Sequence, residues 1–143
     1  MTTASIHHDS VSTASRALRA SLWVVQILLA AVFLMAGGMK LSMPVDQLAA
    51  NMPWVSGALG PFVRFIGAAE VAGALGLVLP SATRIKPSLT VLAAAGLALL
   101  MLGGAATHIA RGELGAFAVP LVLAALSAFV AWGRSQRAVI APR

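Results

Sequence analysis

The chain has 143 residues, of which 59% are hydrophobic and only 10% charged. A water-soluble domain of this size needs far more surface charge, so the class is an integral membrane protein with one domain. The net charge of +6 does not mark a nucleic-acid binder, because the basic residues are scattered at the ends of apolar runs; the lack of cysteine excludes disulfide exchange, thiolate metal sites and cysteine nucleophiles.

Residues 1–19, MTTASIHHDSVSTASRALR, are polar and rich in Ser and Thr, and read as a flexible cytoplasmic tail. His7 and His8 read as a tail pair rather than a metal site. The first span covers residues 20–40. Its apolar part, ASLWVVQILLAAVFLMAGGM, is long enough at ~1.5 Å per residue to cross the ~30 Å hydrocarbon core. A signal peptide would have a shorter apolar region and a clear small-x-small cleavage site, so a retained helix is expected.

The loop 41–61 is the longest connection and carries a pattern of its own. Ser42 is placed to cap a short helix, with Pro44 in its first turn and Asp46 complementing the dipole. Val45, Leu48, Ala49 and Met52 then share one face at helical spacing, and Trp54 follows. This predicts a short helix lying in the interface, or a capping loop over the bundle, with Trp54 as an anchor.

The second span, 62–79, reads FVRFIGAAEVAGALGLVL and ends at Pro80. The third, 88–107, starts around Pro87, which suits a first-turn position. The fourth, 114–132, contains Pro120, which predicts a kink. A basic tail, 134–143, follows. The expected fold is an all-α membrane protein: a four-transmembrane-helix bundle over 20–133 with a short interfacial helix in the first outer loop. Orientation follows from the cations. With the N-terminus inside, Arg16, Arg19, Arg84, Lys86, Arg134, Arg137 and Arg143 are cytoplasmic, and only Lys40, Arg64 and Arg111 are outside. That bias favours both termini in the cytoplasm.

Glu70 is the most informative residue. A carboxylate in the middle of an apolar span is costly and persists only with a partner, a proton or a polar cavity. Three of the four positions one turn away, Gly67, Gly73 and Ala74, are small, so this face packs on a neighbouring helix rather than on lipid. By depth, its candidate partners are Lys40 and His108 at the outer ends of the first and third spans. Lys40 reaches Glu70 if the first helix continues to about Met43; if the helix stops at Met39, Lys40 snorkels outward. Thr107, Arg111 and Gln26 add further polar groups, Gln26 nearer the cytoplasmic end. Two readings of Lys40, Glu70 and His108 stay open: a buried polar clamp between helices, or an outward-opening site for a ligand or a proton. One His and one Glu make too few ligands for a metal site. Met35, Met39 and Met43 recur on one helix face, which core packing explains without copper.

The first span closes in LLAAVFLMAGGMKL, the second contains GAAEVAGALGLVLP, and a His ends the third. In this order and spacing the chain resembles the DoxX-like family of small four-helix bacterial membrane proteins, over roughly residues 22–132. The resemblance puts Lys40, Glu70 and His108 at the family's motif positions and implies the inner membrane of a bacterial cell. The family takes its name from proteins associated with a thiosulfate:quinone oxidoreductase. Other members are linked to redox and oxidative-stress complexes, and similar eukaryotic proteins act as receptor-assembly chaperones. The thiosulfate activity is not carried over, because there is no cysteine and no cofactor-binding motif. Three functions follow as expectations: an accessory or assembly subunit of a membrane complex; a binder of quinone or another lipophilic molecule; and a small proton-coupled transporter. Four helices are few for a carrier, so a homo-oligomer or a larger complex is expected.

Overall fold

The structure is a computed structural model that describes residues 3–143 except 53 and 56, with side chains from residue 15 onward except at 51. Every regular element among the described residues is helical. They run in the order α1 (Thr3–Ser42), α2 (Val45–Asn51), α3 (Gly60–Thr83), α4 (Ser88–Ala110) and α5 (Ala118–Trp132). A single turn, Gly57–Leu59, precedes α3, and a wide turn, Gly133–Arg137, follows α5. Four segments are long and apolar enough to cross a membrane: Ser15–Ser42, Gly60–Thr83, Ser88–Ala110 and Ala118–Arg137. α1 packs on α3, α3 on α4 and α4 on α5, and a lighter contact between α5 and α1 closes the ring. An even number of crossings leaves the N- and C-terminal ends on one face, called here the terminal face; α2 and the α4–α5 loop lie on the opposite, distal face.

The bundle is apolar inside and out, as the bilayer requires. Leu22, Leu29, Phe33, Leu77, Leu97 and Val130 fill the interior, while Leu28, Met35, Phe65, Leu92, Leu99 and Val119 face outward. With lipid outside, apolar transfer gives the helices little reason to associate, so close packing between small residues must do so. The crossing of α1 and α3 illustrates this. A Cβ on Gly37 would lie 2.7 Å from the Gly67 carbonyl oxygen, and one on Gly67 would lie 2.8 Å from Cβ of Lys40. Along α3, Gly73 meets the side chain of Leu97, and a Cβ on Gly76 would sit 2.7 Å from that of Ala93. The small residues flanking Glu70 thus pack on α1 and α4.

Several boundaries differ from the sequence expectation. The helix begins at Thr3, so the segment expected as a flexible tail carries helical backbone from there on; from Thr3 to Ala36 it contains neither Gly nor Pro to interrupt it. The side chains of His7 and His8 lie outside the described residues. α3 continues through Pro80 to Thr83 and ends at Arg84 in the left-handed region. α5 starts only at Ala118, which puts Pro120 in its first turn. There the missing N–H is an orphan in any case, so the expected mid-helix kink has no cause. The segment after residue 133 is not a free tail. Ala138 is buried, and the backbone N–H of Arg143 donates to the Arg84 carbonyl over 3.2 Å.

α2 has the expected face: Leu48 is buried with Val55 and Val63, and Met43, Val45, Ala49, Met52 and Trp54 pack around them. Asp46 and Gln47 point away from this cluster and are exposed. The cap differs. Pro44 is the N-cap of α2, whereas Ser42 belongs to the last turn of α1 and its hydroxyl donates to the Gly38 carbonyl over 2.8 Å. The extension of α1 to Ser42 is what positions Lys40.

Candidate functional site

Lys40 lies within the last turn of α1, and the close approach of Gly37 and Gly67 brings α3 alongside it. Its ammonium donates to both carboxylate oxygens of Glu70, at 2.9 Å to Oε1 and 2.8 Å to Oε2. The Glu70 side chain is 3% exposed and that of Lys40 14%. Both charges are therefore compensated within the bundle, which is the condition for keeping either at this depth. An ammonium has three N–H groups; two serve Glu70, and the third is available to another acceptor.

Arg64 completes this corner from α3. Its guanidinium donates from Nη1 to the Lys40 carbonyl and from Nη2 to the Met43 carbonyl, the latter over 2.6 Å. These carbonyls lie at the end of α1, where no helical N–H follows to satisfy them. A cation at the helix C-terminus also complements the dipole. The sequence presents Arg64 only as a topology charge, but it fixes the turn that carries Lys40.

His108 does not join Glu70. Its Nδ1 donates to Oε2 of Glu113 over 2.7 Å, and Nε of Arg111 donates to Oε1 of the same carboxylate, also over 2.7 Å. The three residues close the end of α4 and the loop after it, where Gly112 takes a positive φ of 72°. The Arg111 guanidinium, and then the His108 ring, hold the Glu113 carboxyl below its ordinary value. Because a carboxylate only accepts, this pairing keeps the proton of a neutral His108 on Nδ1 and leaves Nε2 as an acceptor.

The two ionic groups border one groove. It has a volume of 1020 Å³ and draws its walls from all four spanning helices: Val32 and Phe33 of α1, Ile66 of α3, Leu100 and Met101 of α4, and Leu123 of α5. Lys40 and Glu70 line it, as do Thr107, His108, Arg111 and Glu113, and Trp54 borders it on the distal side. The structure thus places the three residues singled out by sequence on one cavity, two of them in contact and the third with a different partner. Glu113 is absent from the sequence-derived set although it is one of only four acidic residues; its place two residues after Arg111 and five after His108 is the signal that points to it. Gln26 faces a separate cluster on the terminal face. The methionines do not converge: Met35 and Met39 are exposed on the outer surface, while Met43 and Met52 pack against the α2 cluster.

Comparison with known proteins agrees with this architecture. The model of the DoxX-like family matches residues 24–130, which takes in Lys40, Glu70, His108 and Glu113. No curated protein and no solved structure matches the chain. The match covers most of the sequence, and the chain belongs to the DoxX-like family.

Proposed function

We propose that this DoxX-like protein is an accessory subunit of a bacterial inner-membrane complex, and that it holds a lipophilic, oxygen-bearing molecule of the quinone class in the distal groove. The observation that carries the proposal is the groove itself. Apolar walls from four helices lead to a polar end where a spare ammonium N–H, an imidazole Nε2 and the Thr107 hydroxyl border the same space. Largely apolar cavities with a few convergent polar groups are the usual form of small-molecule sites. A quinone carbonyl would accept from Lys40, and a quinol hydroxyl would donate to His108. The protein's own residues supply binding and orientation, and the electrons come from and go to partner proteins. Both termini lie in the cytoplasm on this proposal, so the groove opens toward the outer leaflet; the basic residues at the terminal face support that orientation.

The Lys40–Glu70 pair also supports a role in assembly, since it ties α1 to α3 beside the close approach of Gly37 and Gly67. The two roles are compatible: the pair forms one wall of the groove and keeps that wall in place. A carrier function has less support, because Leu29, Ala74, Leu77 and Leu97 form a packed layer between the distal groove and the terminal face.

The test is thermal unfolding of the purified, detergent-solubilised protein with added ubiquinone or menaquinone. At a ligand concentration about 100-fold above Kd, binding stabilises the fold by about 2.7 kcal/mol. Tm is expected to rise with quinone, and to rise far less in His108→Leu and Glu113→Gln. An unchanged Tm, together with no quinone in the lipid extract of the purified protein, would reject the proposal.

A further inference from the structure

The terminal face holds a second groove, of 1000 Å³, between the start of α4 and the segment that follows α5. Four cations border it: Arg84, Lys86, Arg134 and Arg143. No Asp or Glu side chain does so among the described residues. Arg134 is the unusual member, for it is only 5% exposed. Its Nε donates to Oε1 of Gln26 over 2.6 Å, its Cζ stands 5.0 Å from the Trp23 ring centroid, and its Nη2 has no hydrogen-bond partner. Gln26 in turn donates to the Leu77 carbonyl over 2.5 Å, so its amide is committed at both ends. A buried guanidinium supported only by neutral groups is expensive, and nearby negative charge is what offsets it.

The other wall of the groove is apolar. Val91, Leu92 and Ala95 lie about 5–10 Å into the bilayer from the start of α4, and Val139 and Ile140 of the C-terminal segment lie across from them. A cationic rim above an apolar trough fits an amphiphile with an anionic head. Membrane proteins bind acidic lipids through such basic pockets beside their helices.

We infer that this groove is a binding site for an anionic phospholipid in the leaflet that holds both chain ends. The phosphate sits among Arg84, Lys86 and Arg143 and compensates Arg134 behind them, and an acyl chain follows Val91 and Leu92. Occupancy fastens the C-terminal segment to the α3–α4 turn, adding to the one backbone bond between Arg143 and Arg84.

The experiment is native mass spectrometry of the full chain in detergent, titrated with phosphatidylglycerol or phosphatidylcholine, alongside thermal unfolding with the same lipids or with inorganic phosphate. Phosphatidylglycerol is expected to stay bound and raise Tm, and phosphatidylcholine to do neither. Arg84 and Lys86 have φ of 59° and 47°. Asn tolerates that region, so Arg84→Asn with Lys86→Asn removes charge without adding backbone strain. The double variant is expected to bind phosphatidylglycerol about 25-fold more weakly, at about fivefold per cation, while keeping the Tm of the lipid-free protein. Equal retention of the two lipids, undiminished binding by the double variant, or the full Tm rise from inorganic phosphate alone would each overturn the inference.

Discussion

Replacing Glu70 by Gln isolates the electrostatic part of the Lys40–Glu70 contact, because side-chain volume is conserved. In the native bundle the Lys40 ammonium makes two hydrogen bonds to one carboxylate, at 2.9 and 2.8 Å. With the carboxylate gone, the ammonium stays at the edge of the bundle with one amide oxygen as acceptor. Removing one partner of a buried ion pair costs about 3–5 kcal/mol; the residual 14% exposure of Lys40 places this case at the lower end, about 3 kcal/mol. For a chain of this length that corresponds to a fall in Tm of about 6–12 °C. The physical signature is the double variant. Lys40→Met with Glu70→Leu removes both charges and fills similar volume, so stability returns to within about 1 kcal/mol of the native protein. The assay is a double-mutant cycle by thermal or SDS unfolding of purified protein. A Glu70→Gln variant within about 0.5 kcal/mol of native, or a double variant less stable than Glu70→Gln, would refute the view that the charges are mutually compensated.

The α1–α3 crossing predicts a sharp contrast between adjacent glycines. Gly37→Leu pushes on the Gly67 carbonyl and lowers the yield of folded protein, whereas Gly38→Ala, with nothing within 4 Å, keeps yield and Tm at or above those of the native protein. Arg64→Ala uncovers two carbonyls at the end of α1 and lowers stability by about 1.5–3 kcal/mol, with increased hydrogen exchange in α2 as the local readout. The Glu113 carboxyl has a pKa below its unfolded value, so its stabilising contribution is complete above the ordinary 4.5 and is lost as pH falls through the lower folded value. Amide protection at Gly112–Ala116 is therefore expected to fall as the pH is taken below the ordinary 4.5; in Glu113→Gln that acid-induced loss is absent.

Much of the fold is legible in the sequence because each level of organisation leaves a pattern. Long apolar runs mark the four spans, Pro87 marks the start of α4, and the spacing of Val45, Leu48, Ala49 and Met52 marks the inner face of α2. The small residues around Glu70 show that its face meets other helices. What the sequence leaves open is how far each helix runs. The apolar run of the first span ends at Met39, yet the helix continues to Ser42, and that one turn decides whether Lys40 meets Glu70. Pro80 and Pro120 act opposite to expectation for the same reason. Proline effects depend on its position in the helix, and helix starts are fixed by caps and loops rather than by hydropathy. Pairing across the bundle is equally hidden: His108 and Glu70 share a cavity, but the acceptor closest to His108 is a loop residue five positions along its own chain. Arg134 illustrates the limit most clearly, since a C-terminal arginine that reads as a topology signal is buried against Gln26 and Trp23.

Quinone titration followed by tryptophan fluorescence tests the ligand groove most directly, because Trp54 borders it whereas Trp23 stands against Arg134 and Trp132 near Arg137 on the terminal face. In lipid nanodiscs, saturable quenching by quinone is expected in the native protein, with loss of the saturable part in Trp54→Phe and a weaker midpoint in His108→Leu. Quenching that rises linearly with quinone and is the same in all three proteins would mean that quinone only partitions into the bilayer, and would contradict a binding site in the distal groove.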